Sequence, residues 1–244
     1  MNRISKCLRF QLKNMLKSTF WFVVIYSLVV FALISPVLLF SDGAAGSFNT
    51  SLYIGAAFFA FIYVISDYRA SFNYLMINGN TRRTIFLSTT AANIIMSIVL
   101  AVLSFLYNFI DEFVLTKLSN SAHENTSLFQ LFYPNAVKAM ELPYMAALFI
   151  LITGFSMLYG ALAYKFGKYF ITIFWVGVGL MFAAIPLSSS ASGISLLTLI
   201  GKFLWLNHPH GMLLASVNFL IAALVFNAAV YLISSRQSQT APVT

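Results

Sequence analysis

Few side chains in this sequence of 244 residues have the chemistry of an active site: there are three His, one Cys and six Asp plus Glu. The patterns His-Glu-x-x-His, Gly-x-Ser-x-Gly and the phosphate loop Gly-x4-Gly-Lys-Ser/Thr do not occur in it. His208 and His210 provide at most half of a metal site, and Cys7 has no second cysteine to pair with. We therefore expect no catalytic residue, no metal and no directly bound cofactor. If ATP drives this protein, ATP and Mg must bind to another chain.

The most informative segment is the polar stretch Asp67–Phe86. Asn78-Gly79-Asn80 is a turn signal, and Thr81 is suited to cap the helix that follows. A short amphipathic helix is predicted before the turn from three apolar residues at helical spacing: Phe72, Leu75 and Met76. A minimal connection needs only a few residues, whereas this one has about twenty and includes the pair Arg82-Arg83. The segment is either a positively charged re-entry loop or a docking element for a cytoplasmic protein.

The composition excludes a soluble enzyme, a disordered protein and a coiled coil. Hydrophobic residues make up 60% of the chain, charged residues 8%, and the mean hydropathy is +0.88, whereas soluble domains carry about 25% charged residues. Six stretches without a charge are each at least 23 residues long by subtraction of the flanking positions, and one membrane crossing takes roughly 20 apolar residues. We predict an all-α membrane protein with six transmembrane helices, near residues 19–40, 50–66, 86–110, 142–164, 169–187 and 212–233.

The distribution of Lys and Arg predicts the orientation of these helices. With the N-terminus inside, eleven basic residues are inside and three outside, which is the bias that marks the cytoplasmic side. We therefore predict a multi-pass plasma-membrane protein with both termini in the cytoplasm. The net charge of +8 then suits the anionic lipids of the inner leaflet rather than nucleic acid. The inner basic residues are Arg3, Lys6, Arg9, Lys13, Lys17, Arg69, Arg82, Arg83, Lys165, Lys168 and Arg236, and the outer ones are Lys117, Lys138 and Lys202.

The remaining segments flank or interrupt one transmembrane domain over residues 19–233. Residues 1–18 have the pattern of a basic amphipathic helix at the inner interface, which either anchors the topology or also contacts a partner. The apolar run Ile194–Leu206 is too short to span the membrane and predicts a re-entrant or interfacial outer helix before the sixth span. Residues 234–244 are expected to form a polar cytoplasmic tail.

Small and polar residues within the spans predict how the helices pack. Close helix approach is expected at three pairs of small residues: Ser156-x3-Gly160, Ala163-x3-Gly167 and Gly179-x3-Ala183. Hydrogen bonds across helices are expected from Asn93, Asn218 and Asn227. The second span also carries Phe58, Phe61 and Tyr63. These rings either line an apolar path for an amphipathic substrate or are ordinary core and lipid-facing aromatic residues.

The layout as a whole resembles the permease subunits of ABC-2 type transporters. The shared features are a basic amphipathic N-terminal helix, six spans, internal termini, a long inner loop between spans two and three, and a short outer helix before span six. The similarity in sequence is concentrated in Phe72–Leu87, where Asn78-Gly79-Asn80-Thr81-Arg82-Arg83-Thr84-Ile85-Phe86 is similar to the glycine, polar residue, basic pair and apolar segment of many bacterial members.

The resemblance implies partners and a site. It implies two copies of a separate ATP-binding subunit, a second permease chain forming a homodimer or a heterodimer, and a substrate path at the dimer interface from spans two and five. It also implies that the inner loop holds a coupling helix, near 68–78, that docks the ATPase subunit. The residues implied for this docking are Tyr68, Arg69, Ser71, Phe72, Leu75, Met76, Asn78, Gly79, Arg82 and Arg83.

A path without charged groups suits hydrophobic or amphipathic cargo such as peptides, lipids or drugs. In this respect the chain resembles small permeases of Gram-positive bacteria that export membrane-active peptides or give immunity to them, including the exporters of phenol-soluble modulins. Two other classes remain open at this point. One is a membrane sensor or immunity protein without an ATPase, and the other is an uncoupled channel for lipids or peptides.

Overall fold

The computed structural model describes residues 3–40, 52–118, 133, 137–191, 201–206, 208 and 210–235, with side chains described outside 33–40, 111–118 and 181–191. Within this part of the chain there is no β-strand. A short 3₁₀ turn, Lys138–Met140, precedes the fourth of the six long helices in these residues. The helices are α1 Arg3–Phe40, α2 Leu52–Ile77, α3 Arg82–Leu118, α4 Glu141–Phe166, α5 Lys168–Ala191 and α6 Gly211–Ser235.

In the part of the chain that the structure describes, five stretches of helix are long and apolar enough to cross a membrane, which is compatible with a multi-pass membrane protein. They are Arg3–Ala32, Leu52–Ile77, Arg82–Ile110, Lys138–Phe166 and Gly211–Ser235. At about 1.5 Å per residue, a helix of 25 residues is roughly 38 Å long and exceeds the hydrocarbon core of about 30 Å. In α5 the described apolar stretch is shorter, Lys168–Leu180. The all-helical class is therefore confirmed, and the sixth span stays a prediction.

Two helices predicted to be separate are continuous with the spans that follow or precede them. The basic segment 1–18 and the first span form the single helix α1, and the predicted coupling helix near 68–78 is the last part of α2. Neither boundary contains a Gly or a Pro, so the change from apolar to polar side chains leaves the backbone hydrogen bonds intact. The prediction of separate helices was wrong because a change in side-chain polarity does not by itself end a helix.

The central helix of the bundle is α4, which packs against α2, α3 and α6. A Cβ atom added at Gly154 would lie 3.2 Å from the side-chain nitrogen of Asn227, and one at Gly160 would lie 3.0 Å from Cβ of Tyr68. The predicted close approach at Gly160 is thus confirmed. Gly167 instead ends α4 with φ +66° and donates its N–H to Ala163 at 2.9 Å, and no described atom lies within 4 Å of a Cβ added there, so Gly167 does not make the predicted approach within the described part of this chain.

Polar side chains connect the helices inside the bundle. Ser97 and Thr153 share a buried hydrogen bond of 3.1 Å between α3 and α4, and Asn93 donates to the sulfur of Met157 at 3.7 Å. Asn227 of α6 accepts a hydrogen bond from Thr90 of α3 at 3.5 Å. The predicted bonds across helices are confirmed for Asn93 and Asn227, and such bonds contribute roughly 0.6 kcal/mol each in a membrane.

The fifth helix lies at the side of the bundle and packs mainly against α4. Phe174 contacts Tyr159 edge-on, with ring centroids 4.7 Å apart. Ile173 and Trp175 point away from the bundle, and nothing lies within 4 Å of a Cβ added at Gly179. The close approach predicted at Gly179-x3-Ala183 is therefore not made by Gly179 within the described part of this chain. A helix with this apolar surface is suited to contact lipid or another helix.

The end of the bundle opposite the α2–α3 turn is described only in part. Tyr133 donates its hydroxyl to the carbonyl of Leu204 at 2.6 Å, and Asn218 donates to the carbonyl of Phe203 at 2.9 Å. Of the predicted outer helix Ile194–Leu206, the structure describes residues 201–206. Most of the loop after α3 and the tail beyond Ser235 lie outside the described residues.

Candidate functional site at the α2–α3 turn

The α2–α3 turn is built by residues whose local chemistry fixes its shape. Gly79 has φ +71°, which L-amino acids with a side chain rarely adopt. Its N–H donates to the carbonyl of Met76 at 3.0 Å and the N–H of Asn80 to that of Leu75 at 3.2 Å, which together form a Schellman motif. Thr81 then accepts the backbone N–H of Thr84 at 3.2 Å and caps α3. The predicted turn and cap are confirmed.

The last three turns of α2 have two different faces. One face is buried inside the protein and carries four of the predicted docking residues: Tyr68, Ser71, Phe72 and Leu75. The other face is exposed and includes Arg69 and Ile77, whose side chain is 86% exposed. Among the described residues, Ile77 is the most exposed of the large apolar side chains. Only the exposed face is available to a partner.

Aromatic packing attaches the buried face of α2 to α4. The rings of Phe72 and Tyr164 lie 5.6 Å apart, and the hydroxyl of Tyr164 donates to the side-chain oxygen of Asn73 at 2.8 Å. One turn earlier, Tyr68 lies directly over Gly160. These contacts belong to a buried group that we call the tip cluster: Cys7, Val64, Tyr68, Phe72, Leu75, Ile85, Met157, Ala161, Tyr164 and Val230.

The first helix holds the turn from another side. The thiol of Cys7 donates to the side-chain oxygen of Asn80 at 3.2 Å, and the ring of Phe10 stacks on Tyr74 with centroids 4.8 Å apart. Deeper in the bundle, Gln11 donates to the hydroxyl of Thr89 at 2.7 Å. Sequence reasoning missed these contacts. The available signal was the row of residues without charge at four-residue spacing on a basic helix: Cys7, Gln11, Met15 and Thr19, all buried.

The last helix also meets the turn. Arg82 donates from its guanidinium to the carbonyl of Ser235 at 2.9 Å, at the C-terminal end of α6. A cation at this position is favourable, since the last carbonyls of a helix lack partners and carry partial negative charge. The ring of Phe86 packs on Tyr231 with centroids 5.2 Å apart. Arg82 is thus occupied within the chain, whereas its neighbour Arg83 is exposed.

The exposed surface of the turn is small and basic. We call it the docking surface and define it as Arg69, Ile77, Asn78, Gly79 and Arg83. Met76 is half-buried beside it. An apolar side chain flanked by arginines is suited to a protein surface with an apolar pocket and acidic rim. The segment beneath this surface contacts α1, α4 and α6.

The tip cluster leaves no room for a small-molecule ligand. The cavity beside it has a volume of about 10 Å³, the size of one water molecule. It is lined by Tyr68, Ser71, Phe72, Ile85, Phe86, Thr89, Met157 and Ser234. Across the described residues, no three His, Cys, Asp or Glu side chains come together as they would around a metal ion.

The three aromatic residues suggested for a substrate path point in different directions. Phe58 is 65% exposed on the outside of α2. Phe61 packs against Phe155 of α4, with centroids 6.2 Å apart, while Tyr63 contacts Phe59 at 5.7 Å on the side that faces α1. Within one chain these rings do not share a common surface. A path that uses Phe58 would need a second chain to complete it.

Cys7 offers a direct test of the contact between α1 and the turn. The thiol is 4% exposed and bound to Asn80, so we expect slow labelling by a maleimide in the folded protein. Asn80→Ala removes the acceptor, and the loss of about 1 kcal/mol is expected to raise the labelling rate roughly fivefold. Asn78→Ala is the matched control, because the hydrogen bond that its side chain donates is to the carbonyl of Tyr74 in its own helix. Equal rates in all three proteins would show that the α2–α3 turn does not cover the thiol of Cys7.

Comparisons with known proteins identify no relative: no family model, no curated protein and no solved structure matches this chain.

Proposed function

We propose that this chain is the membrane permease subunit of an ATP-driven exporter of the ABC type, in which the docking surface binds a separate ATPase subunit. The observation that carries the proposal is the α2–α3 turn: it exposes Ile77 and Arg83 and is attached to three further helices at its base. The resemblance in sequence over Phe72–Leu87 supports the same assignment. The chain has no catalytic role, and ATP and Mg bind to the partner.

The proposed mechanism follows from the rigidity of this end of the bundle. When the ATPase subunits close on ATP, they displace the docking surface. The tip cluster is packed with aromatic and aliphatic side chains, so α2, α3 and α4 move together rather than bending at the turn. A packed bundle of this kind has a small number of discrete arrangements, and the displacement selects between inward-facing and outward-facing ones.

The proposed assembly has two permease chains and two ATPase chains, with α5 as the sixth span. The apolar surface of α5, including Ile173 and Trp175, supports its placement in the membrane. The cargo is hydrophobic or amphipathic, such as a peptide, a lipid or a drug, and its path runs between two chains beside the second and fifth helices. Exposed Phe58 is suited to such a path.

The direct test combines isolation of the complex with one charge reversal. We expect that an ATPase subunit is recovered with the chain from membranes of its host in mild detergent, identified by mass spectrometry. Arg83→Glu is expected to weaken that association at least tenfold, about 1.4 kcal/mol, because it places an acidic group against the acidic rim of the partner. Cargo-stimulated ATP hydrolysis is expected to fall with it.

Lys168→Glu is the matched control, since Lys168 is an exposed basic residue at the same end of the bundle but outside the turn. It should retain the ATPase subunit. We avoid Arg82→Glu as the primary variant because it also breaks the contact with Ser235. If no ATPase chain is recovered with the unmodified protein, the proposal is wrong, and a sensor, immunity protein or uncoupled channel becomes the better explanation.

A further inference from the structure

The first helix carries two stripes on nearly opposite faces. The buried stripe of Cys7, Gln11 and Met15 packs against α3 and the turn. At 100° per residue, the mean direction of the next stripe lies about 160° away from it. This second stripe consists of exposed basic residues at four-residue spacing: Arg9, Lys13 and Lys17. The basic stripe therefore points away from the protein, while the face behind it holds the α2–α3 turn.

The basic stripe has no neutralising acid on its own helix. Two more exposed basic residues, Arg3 and Lys6, precede it, and the first acidic residue of the sequence is Asp42. Like charges four residues apart on a helix repel each other. On the neighbouring helix the carboxylate of Asp67 accepts a hydrogen bond from Ser71 at 2.7 Å. Since α1 itself carries no acid, an external anion that lies against its five cations would relieve their repulsion.

The length of the neighbouring helices places the stripe at the depth of lipid phosphates. The helices α2, α4 and α6 have 26, 26 and 25 residues, or about 38 Å each, close to a bilayer with its headgroups of about 40–45 Å. Phe10 stacks on Tyr74 near the end of α2, so the start of α1 lies level with that end. Arg9 then lies at the level of the headgroups, and Lys13 and Lys17 follow one and two turns deeper, from where their long side chains can reach back to the phosphates.

Exposed apolar residues continue the basic stripe toward the middle of the membrane. Phe20 is 63% exposed, and Trp21 and Leu28 are exposed beyond it on the same side of α1. Tryptophan is enriched where hydrocarbon meets headgroups. Along α1, basic side chains are followed by aromatic ones. This order suits a phospholipid, whose phosphate would lie at the lysines and whose acyl chains would lie along the aromatic residues. An acidic protein would match the cations but not the apolar continuation.

We infer that the outward face of α1 binds anionic phospholipid, with Arg9, Lys13 and Lys17 on the headgroup phosphates and Phe20 and Trp21 along the acyl chains. The bound lipid does not contact the docking surface directly. It neutralises the repulsion along α1 and so stabilises the helix whose other face contacts Asn80 and Thr89. The proposal is independent of the ATPase partner, since it concerns a different face and needs no second chain.

Trp21 is a natural reporter for the test. The chain has three tryptophans, and Trp175→Phe with Trp205→Phe leaves Trp21 as the single fluorophore. The full chain in this background is reconstituted into phosphatidylcholine vesicles that contain increasing fractions of brominated phosphatidylglycerol or of brominated phosphatidylcholine. Bromine quenches a nearby indole, so quenching reports which lipid lies against Trp21. We expect half-quenching at a mole fraction of the anionic lipid at least fivefold lower than that of the zwitterionic one.

Lys13→Gln with Lys17→Gln is expected to raise the half-quenching fraction of phosphatidylglycerol at least fivefold, since each basic residue contributes about a factor of five at an anionic surface. Lys138→Gln with Lys202→Gln removes the same charge from exposed positions at the other end of the bundle and should change nothing. Lys13→Arg with Lys17→Arg should keep the preference. Equal quenching of the parent protein by both lipids would overturn the inference. An equal rise of the half-quenching fraction in Lys138→Gln with Lys202→Gln would overturn it as well.

Discussion

Gly160→Leu is expected to lower the free energy of unfolding by about 3 kcal/mol and the midpoint of thermal unfolding by roughly 6–12 °C. A Cβ atom at this position would lie 3.0 Å from Cβ and 3.1 Å from Cγ of Tyr68, closer than such atoms normally approach. The neighbouring atoms belong to the stem of a buried tyrosine and not to a flexible end, so α2 and α4 must move apart. The measurement is thermal unfolding of the purified chain in one detergent, followed by circular dichroism.

Gly177→Leu is the matched control for this prediction. It makes the same substitution within a helix, but nothing lies within 4 Å of a Cβ at Gly177. We expect an unchanged or slightly raised midpoint, because leucine has a higher helix propensity than glycine. A midpoint for Gly160→Leu within 2 °C, about 1 kcal/mol, of the parent protein would show that α2 and α4 do not pack as described.

Phe72→Ala is expected to cost about 3–5 kcal/mol, since it removes a ring that is only 5% exposed from the tip cluster. The consequence for function should be specific. Under the proposed function, an ATPase subunit should still bind because the docking surface keeps its own side chains, but the segment beneath that surface should no longer move as one body with α4. We expect loss of cargo transport together with retained ATP hydrolysis, measured on the reconstituted complex. Faster hydrogen exchange at the amides of the turn should accompany it.

Phe58→Ala provides the comparison, because it is the same substitution on the same helix at a residue that is 65% exposed. Its stability should stay within about 0.5 kcal/mol of the parent protein. Equal destabilisation by the two substitutions would contradict the assignment of Phe72 to the tip cluster. A transport defect of Phe58→Ala without loss of stability would instead support its place in the substrate path.

The sequence alone predicts those parts of the fold that depend on neighbouring residues. The spacing of charges predicts the apolar helices, and Asn78-Gly79-Asn80-Thr81 predicts a turn followed by a cap. In both cases the signal and the structure lie within a few residues of each other. Gly160 is similar, since a small residue four positions from Ser156 predicts close packing without showing which helix approaches.

Contacts between distant segments were beyond sequence reasoning. Cys7 and Asn80 are 73 positions apart, and Arg82 and Ser235 are 153 apart. None of these four residues has a chemistry that specifies its partner. The arginine pair illustrates the result: Arg82 and Arg83 look equivalent in sequence, but a helix places neighbouring side chains about 100° apart. One therefore faces α6 and the other remains exposed.

The convergence of α1 and α6 on the α2–α3 turn decides where a fusion tag can be placed. The start of α1 contacts Asn80, and the end of α6 contacts Arg82. A purification handle or fluorescent protein fused close to either of these helix ends would emerge beside the docking surface and compete with a partner for space. The 37-residue helix α3 carries the chain away from that surface as far as Leu118, so an insertion directly after Leu118 leaves the docking surface clear.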